Sequence, residues 1–294
     1  MLAAILIVNW NGRQYLGRCL AAVFDQRLHE TRVVVVDNGS TDGSCEWLAE
    51  HYPQVEVVRL PNNAGFAAAN NVGIAATSSR YVVTLNNDTQ VGPRWLAALI
   101  DAAESDERIG MCASRILLAD RPGTIDSAGI EVDRLGFAWQ RGHGRPDAGH
   151  YRRPCDVFGP SAAAALYRRG MLEQIGLFDA DFDSYYEDVD LAWRANRTGW
   201  RCRYVPDAEV LHVHSATGRR EPDRKLYQLT RNRWWSVIKN YPTPRLWLML
   251  PLMMVADAAS LARGLITQRN AVPFRARLDA VRGLRRMWTK RILH

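Results

Sequence analysis

Two acidic clusters in this chain have the residue types needed to hold a cation and to accept a proton. The first is Asn86–Thr89, directly after the apolar run 81–85, and the second is Glu187–Asp190, about a hundred residues later. A carboxylate at the carboxyl end of a buried strand can bind a divalent cation that also contacts a phosphate. A second carboxylate in the same cleft can remove a proton. Together the clusters predict group transfer from a diphosphate-activated donor.

Asp88 carries the only charge of the first cluster, because its neighbours Asn86 and Asn87 are neutral. The helix that follows already has Pro93 near its start, so Asp88 is not needed as its cap. Mg²⁺ or Mn²⁺ accepts one or two carboxylates and completes its shell with phosphate oxygens and water. Asp88 is therefore predicted to be a metal ligand.

The second cluster has a simple structural interpretation that covers only part of it. Ser184 and Glu187 have capping-box spacing, and acids in a first helical turn suit the helix dipole. Asp188 and Asp190 remain as extra charges beside two tyrosines and a tryptophan. Apolar surroundings raise the proton affinity of a carboxylate, as a general base requires.

His212 and His214 lie two residues apart on a predicted strand, so their side chains share one face. One neutral imidazole could join Asp88 on a cation such as manganese. The residue types alone leave open which of the two histidines does so.

Two polar turns follow predicted strands and open on the same edge of the predicted sheet. Asp37 begins the turn 37–44, where its carboxylate could accept hydrogen bonds from a nucleobase or a ribose; helix capping explains the turn equally well. The turn Asn62–Phe66 precedes a helix that carries Asn70 and Asn71, and its asparagines could act only as caps. The glycine patterns of dinucleotide folds and of P-loops are both absent.

The elements that must position these residues alternate in type over the first hundred residues. Continuous apolar strands are predicted at 3–8, 32–36, 55–60 and 81–85, with helices at 14–24, 44–51, 65–75 and 93–104. This alternation predicts an α/β fold with a parallel sheet covered by helices on both faces. Residues 121–154 are predicted to be loops and hairpins with limited burial, and 161–168 could be strand or helix. Strands are predicted at 201–205 and 209–214, and a helix at 227–239.

Charge divides the chain into a body and a tail. From Lys239 to His294 there are 11 Lys or Arg and 2 Asp or Glu, a net of +9 in a chain of net charge +7, so the rest is slightly acidic. Residues 246–262 are apolar, and nine basic residues follow them. An apolar helix beside a cationic one predicts attachment to an anionic membrane surface, and packing on the body or on a second copy is the alternative. The five scattered cysteines favour a reducing cytosol.

In this order the motifs resemble family 2 glycosyltransferases of the GT-A fold, especially the rhamnosyltransferase-like branch. The resemblance spans about residues 3–242 and is carried by these stretches: Val8–Gly12, Val36–Ser44, Asn63–Ala67, Leu85–Asp88, Glu187–Leu191 and Arg231–Arg233. It implies a GT-A domain over 1–242, with a Rossmann-like, mostly parallel sheet, and a basic, apolar helical tail over 243–294.

The resemblance also implies roles for individual residues of an inverting transferase that uses a nucleotide-diphospho-sugar. Asp188 would be the base, and Asp88 would take the metal position of the family's DxD motif, which here begins with Asn86. His212 is preferred to His214 as the second ligand of Mg²⁺ or Mn²⁺. Separately from the resemblance, the basicity of the loop predicts that Arg219, Arg220 or Arg231 assists when this loop orders over the donor. The implied donor-binding residues are Asn9, Asn11, Asp37, Asn38, Asn63, Gly65, Phe66, Asn70, Asn87 and Arg231.

The expected donor is dTDP-rhamnose, by resemblance alone, and the expected acceptor is a glycan or a polyprenyl-linked precursor. The protein is expected in the cytoplasm, on the inner face of the cell membrane, with no nucleic-acid partner and with its oligomeric state open. The alternatives are a metal-dependent nucleotidyltransferase, which would need a phosphate loop that residues 9–13 match poorly, and a catalytically silent nucleotide-sugar-binding scaffold.

Overall fold

The computed structural model describes residues 1–26, 30–213, 221–268 and 271–291, with the backbone alone for 263–268. Strands and helices alternate through β4, in agreement with the sequence: β1 (Ala3–Asn9), α1 (Arg13–Phe24), β2 (Thr31–Asp37), α2 (Ser44–His51), β3 (Glu56–Arg59), α3 (Phe66–Ala75) and β4 (Tyr81–Asn86). A short strand that was not predicted, β5 (Thr89–Val91), then precedes the predicted helix α4 (Trp95–Glu104).

The second part of the chain adds further strands to the same sheet and ends in helices. Its elements are β6 (Ile109–Leu118), β7 (Ile125–Ser127), β8 (Ile130–Val132), β9 (Ala138–Gln140), β10 (Cys155–Val157), β11 (Ala164–Arg168), α5 (Arg169–Ile175), α6 (Glu187–Arg197), β12 (Arg201–His212), α7 (Pro222–Asn240), α8 (Thr243–Gln268), α9 (Val272–Arg282) and α10 (Leu284–Thr289).

One large sheet runs in the order β10-β12-β6-β11-β4-β1-β2-β3, with β5 paired to β12 and β7 to β6. The strands β3, β2, β1 and β4 are mutually parallel, as predicted. Segment 161–168, which the sequence left open, contains β11, which lies antiparallel between β4 and β6 in the middle of the sheet. The two strands predicted at 201–205 and 209–214 are one strand, β12, with an irregularity between Val205 and Glu209.

Helices cover both faces of the sheet, which is why its strands are continuously apolar. On one face, α1, α2 and α4 bury side chains such as Leu16, Leu48 and Trp95. On the other face, α3, α5 and α6 contribute residues such as Ile74 and Leu191. The carboxyl ends of the parallel strands remain uncovered by these helices, and the polar turns lie there.

The prediction of limited burial for 121–154 is wrong near its start, at 125–130. Ile125, Asp126, Ser127, Ala128 and Ile130 are all buried. They are buried because β7 pairs with β6, while β8 and β9 form a separate hairpin that stands over the sheet edge.

The tail forms a helical extension, as predicted, and part of it packs against α7. Tyr227 donates a hydrogen bond to Asp279 at 2.8 Å, and the Trp235 indole donates to the carbonyl of Ala280 at 3.1 Å. These contacts place α9 directly on the helix that also borders the cavity described next.

Candidate active site

A cavity of about 410 Å³ opens at the carboxyl ends of the parallel strands. Asp88, Asp188 and His212 all line it, although they are widely separated in the sequence. Asp126 lines it as well and was not recognised from the sequence. The cavity therefore brings both acidic clusters together.

Asp88 and His212 face each other because of the way two strands pair. Asp88 lies in the tight turn between β4 and β5, and Thr89 pairs with His212 across β5 and β12. The Nε2 atom of His212 is 3.2 Å from Oδ1 of Asp88, and both side chains are buried. His212 is thus the histidine placed beside Asp88, whereas His214 lies outside the described residues.

Asp126 fixes the orientation of the His212 ring from behind. Its Oδ2 atom is 2.7 Å from Nδ1 of His212, so Nδ1 donates and Nε2 is directed toward Asp88. Burial lowers the pKa of His212, but the hydrogen bonds that its ring donates to Asp126 and Asp88 outweigh burial and raise the pKa to about 9. A cation that binds at Nε2 would therefore displace the proton from this nitrogen.

The Asp88–His212 pair has the geometry of two neighbouring ligands on one cation. Adjacent ligands about 2.1 Å from an octahedral ion lie roughly 3 Å apart, which matches the 3.2 Å separation observed. Within the described part of the chain, no three His, Cys, Asp or Glu side chains form a complete metal site. Two protein ligands suit a cation that takes its remaining ligands from phosphates and water.

Asp188 lies at the first turn of α6 and points into the same cavity. Its carboxylate accepts hydrogen bonds from the backbone N–H groups of Val189 at 2.8 Å and Ala162 at 3.3 Å. Loss of solvent raises its pKa to about 6, although these hydrogen bonds oppose the shift. A carboxylate with this pKa can accept a proton near neutral pH and is held in one orientation.

The neighbouring Glu187 is buried more deeply than Asp188. Burial, and then the nearby charge of Asp188, raises the pKa of Glu187 well above its usual value. Glu187 is therefore the carboxyl that stays protonated, and Asp188 carries the charge of the pair. The Oε2 atom of Glu187 has no hydrogen-bond partner within the described structure.

The predicted capping box at Ser184 and Glu187 is wrong. The N-cap of α6 is Tyr186, which has a left-handed backbone with φ of 70° and makes no side-chain cap. Asp183 and Tyr185 are also left-handed, with φ of 63° and 66°. Such conformations cost about 1–3 kcal/mol each outside glycine, so other contacts must impose them.

Asn232 on α7 supplies those contacts. Its buried amide Nδ2 donates to three carbonyls of the loop before α6, those of Phe182 at 2.8 Å, Ser184 at 3.0 Å and Tyr185 at 2.7 Å. The Tyr186 hydroxyl in turn accepts from the backbone N–H of Ala138 at 3.1 Å. The Arg231–Arg233 motif therefore acts mainly by shaping the loop that presents Asp188.

Asp190 is structural and does not face the cavity. It is fully buried and bonds to Arg194 at 2.9 Å, Lys239 at 2.9 Å and Asn240 at 2.8 Å. Burial raises its pKa, but the two cations outweigh this and lower it. These bonds fasten α6 to α7 and so hold Asp188 in place.

The predicted donor-binding residues divide into those that line the cavity and those that support it. Asn38, Asn63, Phe66 and Asn87 line it. Asn38 and Asn63 are joined by a 2.9 Å hydrogen bond, and Asn87 donates to Asn9 at 2.7 Å. The cavity-lining residues are thus held in a connected polar wall.

The remaining predicted donor contacts are not among the residues that line the cavity. Asp37 is buried and accepts from Asn9 at 3.2 Å and from the Ser40 N–H at 3.0 Å. Asn11 accepts from the Thr41 N–H at 2.8 Å. These side chains brace the two turns beneath the cavity, and direct donor contact by Asp37 stays a prediction.

Three further predicted donor residues also have supporting positions. Gly65 has a φ of 88°, and a Cβ there would come within 2.2 Å of Asp183. Asn70 donates to the carbonyl of Phe66 at 2.9 Å. Arg231 packs over the Trp235 ring at 4.1 Å and bonds to loop carbonyls, so it does not reach the cavity. Arg219 and Arg220 lie outside the described residues.

Comparison with known proteins agrees with this geometry. The family model for glycosyl transferase family 2 matches residues 4–176. An N-acetylglucosaminyl-diphospho-decaprenol L-rhamnosyltransferase of Mycobacterium tuberculosis is 30% identical and covers 74% of this chain and 78% of its own. The O-antigen biosynthesis protein RfbC of Myxococcus xanthus is 29% identical and covers 73% of this chain but 17% of its own.

Solved structures share the fold at lower identity. TarS residues 1–349 of S. aureus match with a TM-score of 0.65 and 16% identity, covering 98% of this chain and 81% of that one. The mannosyltransferase PcManGT of Pyrobaculum calidifontis, in complex with GDP-Man and Mn²⁺, matches with a TM-score of 0.60 and 18% identity, covering 98% and 83%. The fold is that of GT-A glycosyltransferases, as predicted. With two carboxylates and a histidine gathered at its sheet edge, this chain belongs to the family 2 glycosyltransferases, on the rhamnosyltransferase-like side.

Proposed function

We propose that the protein transfers a sugar, L-rhamnose by preference, from a nucleotide-diphospho-sugar to a hydroxyl of a lipid-linked or cell-envelope glycan, with inversion at the anomeric carbon. The observation that carries this proposal is the presence of Asp188, with its raised pKa, in one cavity with the Asp88–His212 pair. One side of that cavity can take up a proton while the other offers ligands for a cation and its phosphates.

In the proposed reaction, the Asp188 carboxylate accepts the proton of the acceptor hydroxyl. The oxygen of that hydroxyl forms the new bond to the anomeric carbon, and the bond from this carbon to the donor diphosphate breaks. The electron pair of the broken bond leaves on the diphosphate. Asp188 is ready for this task because two backbone N–H groups orient it and because burial raises its pKa.

Asp88 and Nε2 of His212 would hold Mg²⁺ or Mn²⁺, with Asp126 as the outer partner that orients the histidine. A divalent cation held there would offset the negative charge that develops on the leaving diphosphate. The donor itself would lie along the wall formed by Asn38, Asn63 and Phe66.

The sugar and the acceptor are inferred from the relatives. The Mycobacterium tuberculosis relative is named as a rhamnosyltransferase that acts on a diphospho-decaprenol-linked sugar. dTDP-rhamnose is accordingly the proposed donor, and a polyprenyl-linked glycan the proposed acceptor.

A thermal-shift screen of nucleotide-sugars with and without Mn²⁺ tests the donor. We expect dTDP-rhamnose to raise the melting temperature by several degrees only when Mn²⁺ is present, because ligand binding to the folded state stabilises it. UDP- and GDP-sugars are the matched comparisons. A larger shift with another donor would replace rhamnose, and no shift with any donor would contradict the proposal.

We further propose that residues 243–294 attach the catalytic domain, residues 1–242, to the inner face of the cell membrane. Helix α8 contains a 20-residue stretch, Thr243–Ala262, of mean hydropathy 1.4, of which 11% is buried. Exposed apolar side chains occur on α8 and also on α9 and α10. On α8 they are Trp247, Leu248, Leu252, Met254 and Val255; on α9 they are Phe274, Leu278 and Val281; and on α10 the residue is Trp288. Arg275 and Arg282 are exposed beside them and suit anionic lipids.

The contacts of Asp257 favour a helix that lies on the membrane over one that crosses it. Asp257, in the middle of α8, pairs with Arg233 at 2.9 Å and with Arg277 at 2.5 Å. These ion pairs, which are shielded from much of the solvent, hold one side of α8 against α7 and α9. Only its opposite side is free to enter the lipid.

Replacing the exposed Leu248 by glutamate should weaken binding to anionic vesicles at least about tenfold. Moving a leucine from lipid to water costs about 1.5 kcal/mol or more, and 1.4 kcal/mol is a tenfold change in affinity. Vesicle flotation measures the effect. Ala21→Glu, which adds the same charge at an exposed position of α1, is the control and should float normally. Equal flotation of both variants would refute attachment through this surface.

A further inference from the structure

The hairpin of β8 and β9 forms a second wall of the cavity, distinct from the asparagines that we assign to the donor. The hairpin of β8 and β9 is a two-stranded sheet separate from the main sheet, and its residue Trp139 lines the cavity. Trp139 is 46% exposed, although tryptophan is among the most costly side chains to leave in water. Trp10 also lines the cavity but is half-buried, and the other exposed tryptophans of the described chain, Trp247 and Trp288, lie on the tail. Trp139 is therefore the exposed tryptophan that faces the reaction site within the described residues.

The Trp139 ring is held in one orientation even though it is exposed. Its indole Nε1 donates to Glu131 Oε2 at 2.8 Å, directly across the hairpin, where the two residues are paired. Within the described residues, no aromatic ring is stacked on it. A large apolar surface that is fixed in place and left uncovered beside a cavity is typical of a ligand platform.

The hairpin is tied to both parts of the catalytic site. The N–H of Ala138 donates to the hydroxyl of Tyr186, two residues before Asp188, at 3.1 Å. On the other side of Trp139, Gln140 accepts from Ser127 at 2.5 Å, next to Asp126. Trp139 therefore lies between the two anchors, at a fixed position relative to the base.

The direction of the reaction assigns this wall to the acceptor. In an in-line displacement the attacking oxygen approaches from the side opposite the leaving diphosphate. If the diphosphate lies at Asp88 and the nucleotide along Asn38 and Phe66, the acceptor must enter past Asp188, on the hairpin side. Contacts with the nucleotide therefore do not explain why an exposed tryptophan lies at position 139.

We propose that Trp139 is the platform for a pyranose ring of the acceptor, which rests on the proposed transferase function. One face of a pyranose presents C–H groups, whose positive edges suit the negative face of an indole. The hydroxyls of the ring then point sideways, where one of them meets the Asp188 carboxylate. The acceptor class is a glycan whose terminal residue is a sugar, as opposed to a bare lipid phosphate or a protein hydroxyl.

Saturation-transfer NMR with simple methyl glycosides tests this platform without membranes. The probes are the methyl glycosides of glucose, N-acetylglucosamine, galactose and rhamnose, each added to the full chain with dTDP and Mg²⁺, which unlike Mn²⁺ does not broaden nearby proton signals. We expect at least one probe to receive saturation at its ring C–H protons, with an affinity that falls about tenfold in Trp139→Ala. Trp139→Phe keeps an aromatic face and should lose about threefold or less.

Two controls distinguish a failure of the Trp139 platform from a failure of the proposed transferase function. Trp247→Ala removes an even more exposed tryptophan from the tail and should bind the glycosides as the unchanged protein does. Donor thermal shifts should be the same in Trp139→Ala, which shows that the fold and the donor wall are intact. Glycoside binding that is absent, or that is unaffected by Trp139→Ala, would overturn the platform even if donors bind. Failure of donors to bind would instead count against the transferase proposal.

Discussion

An Asp188→Asn variant should lose about a hundredfold to ten-thousandfold in turnover while it still binds the donor. General-base catalysis contributes 10²- to 10⁴-fold, and the amide cannot take up the acceptor proton. Asparagine keeps the size of the side chain and can still accept a hydrogen bond from Val189, so the loop should hold its shape. The test compares steady-state sugar transfer with donor affinity in the same preparation.

Glu187→Gln is the matched control for that variant. Because the raised pKa of Glu187 keeps it protonated, glutamine reproduces its neutral form, and turnover should change by no more than a few-fold. If the Gln variant were inactive and the Asn variant active, the base would be Glu187 and the present assignment would be wrong.

The Asp188 carboxyl also sets the pH dependence of turnover in the unchanged enzyme. A base with a pKa of about 6 is charged above that pH and protonated below it, so turnover should fall about tenfold for each pH unit below 6. This acid limb should be missing from the residual activity of Asp188→Asn.

Replacing Asp88 by alanine should abolish the Mn²⁺-dependent part of donor binding and lower turnover by two or more orders of magnitude. One of the two protein ligands is then lost, and His212 cannot hold the cation and the diphosphate alone. A Mn²⁺ titration, followed by the donor-dependent thermal shift, measures this loss.

Asp126→Asn provides a graded comparison for the metal prediction. Asp126 acts through His212, and outer partners of this kind change metal affinity about 10- to 100-fold, which is less than a direct ligand does. A Mn²⁺ affinity that is equal in all three proteins would exclude Asp88 from the metal site.

The sequence was sufficient to predict the parallel half of the sheet and the presence of Asp88 and Asp188 in one cavity. The fold prediction rests on continuous apolar strands, and that of Asp88 on a polar residue at the carboxyl end of a strand. Asp188 lies in the first turn of α6, and its role was implied by the family resemblance. The central position of β11 could not be predicted, because its alanine-rich sequence has no clear period and its neighbours β4 and β6 are distant in the chain. Pairing of that kind is decided by tertiary packing.

The errors at the site have a similar origin. Asp126 lies in a segment rich in glycine and arginine. Its role in the site depends on a hydrogen bond with His212, 86 positions away, which the local sequence does not reveal. The spacing of Ser184 and Glu187 matches a capping box, yet contacts from α7 force Tyr186 into the cap position. Arg231 belongs to a motif of the family, but its neighbour Asn232 makes the contacts that matter to the loop. A signal for Asn232 could have been its place between two arginines on an aromatic-rich helix.

The clamp made by Asn232 implies an order of events in folding. The loop that carries Asp188 adopts backbone angles that few L-residues choose unaided, so it acquires its shape only once α7 has docked. The wall of asparagines around residue 38 follows the parallel strands β2 and β3, which come earlier in the chain. We therefore expect the asparagine wall to form before the loop that presents Asp188 during synthesis.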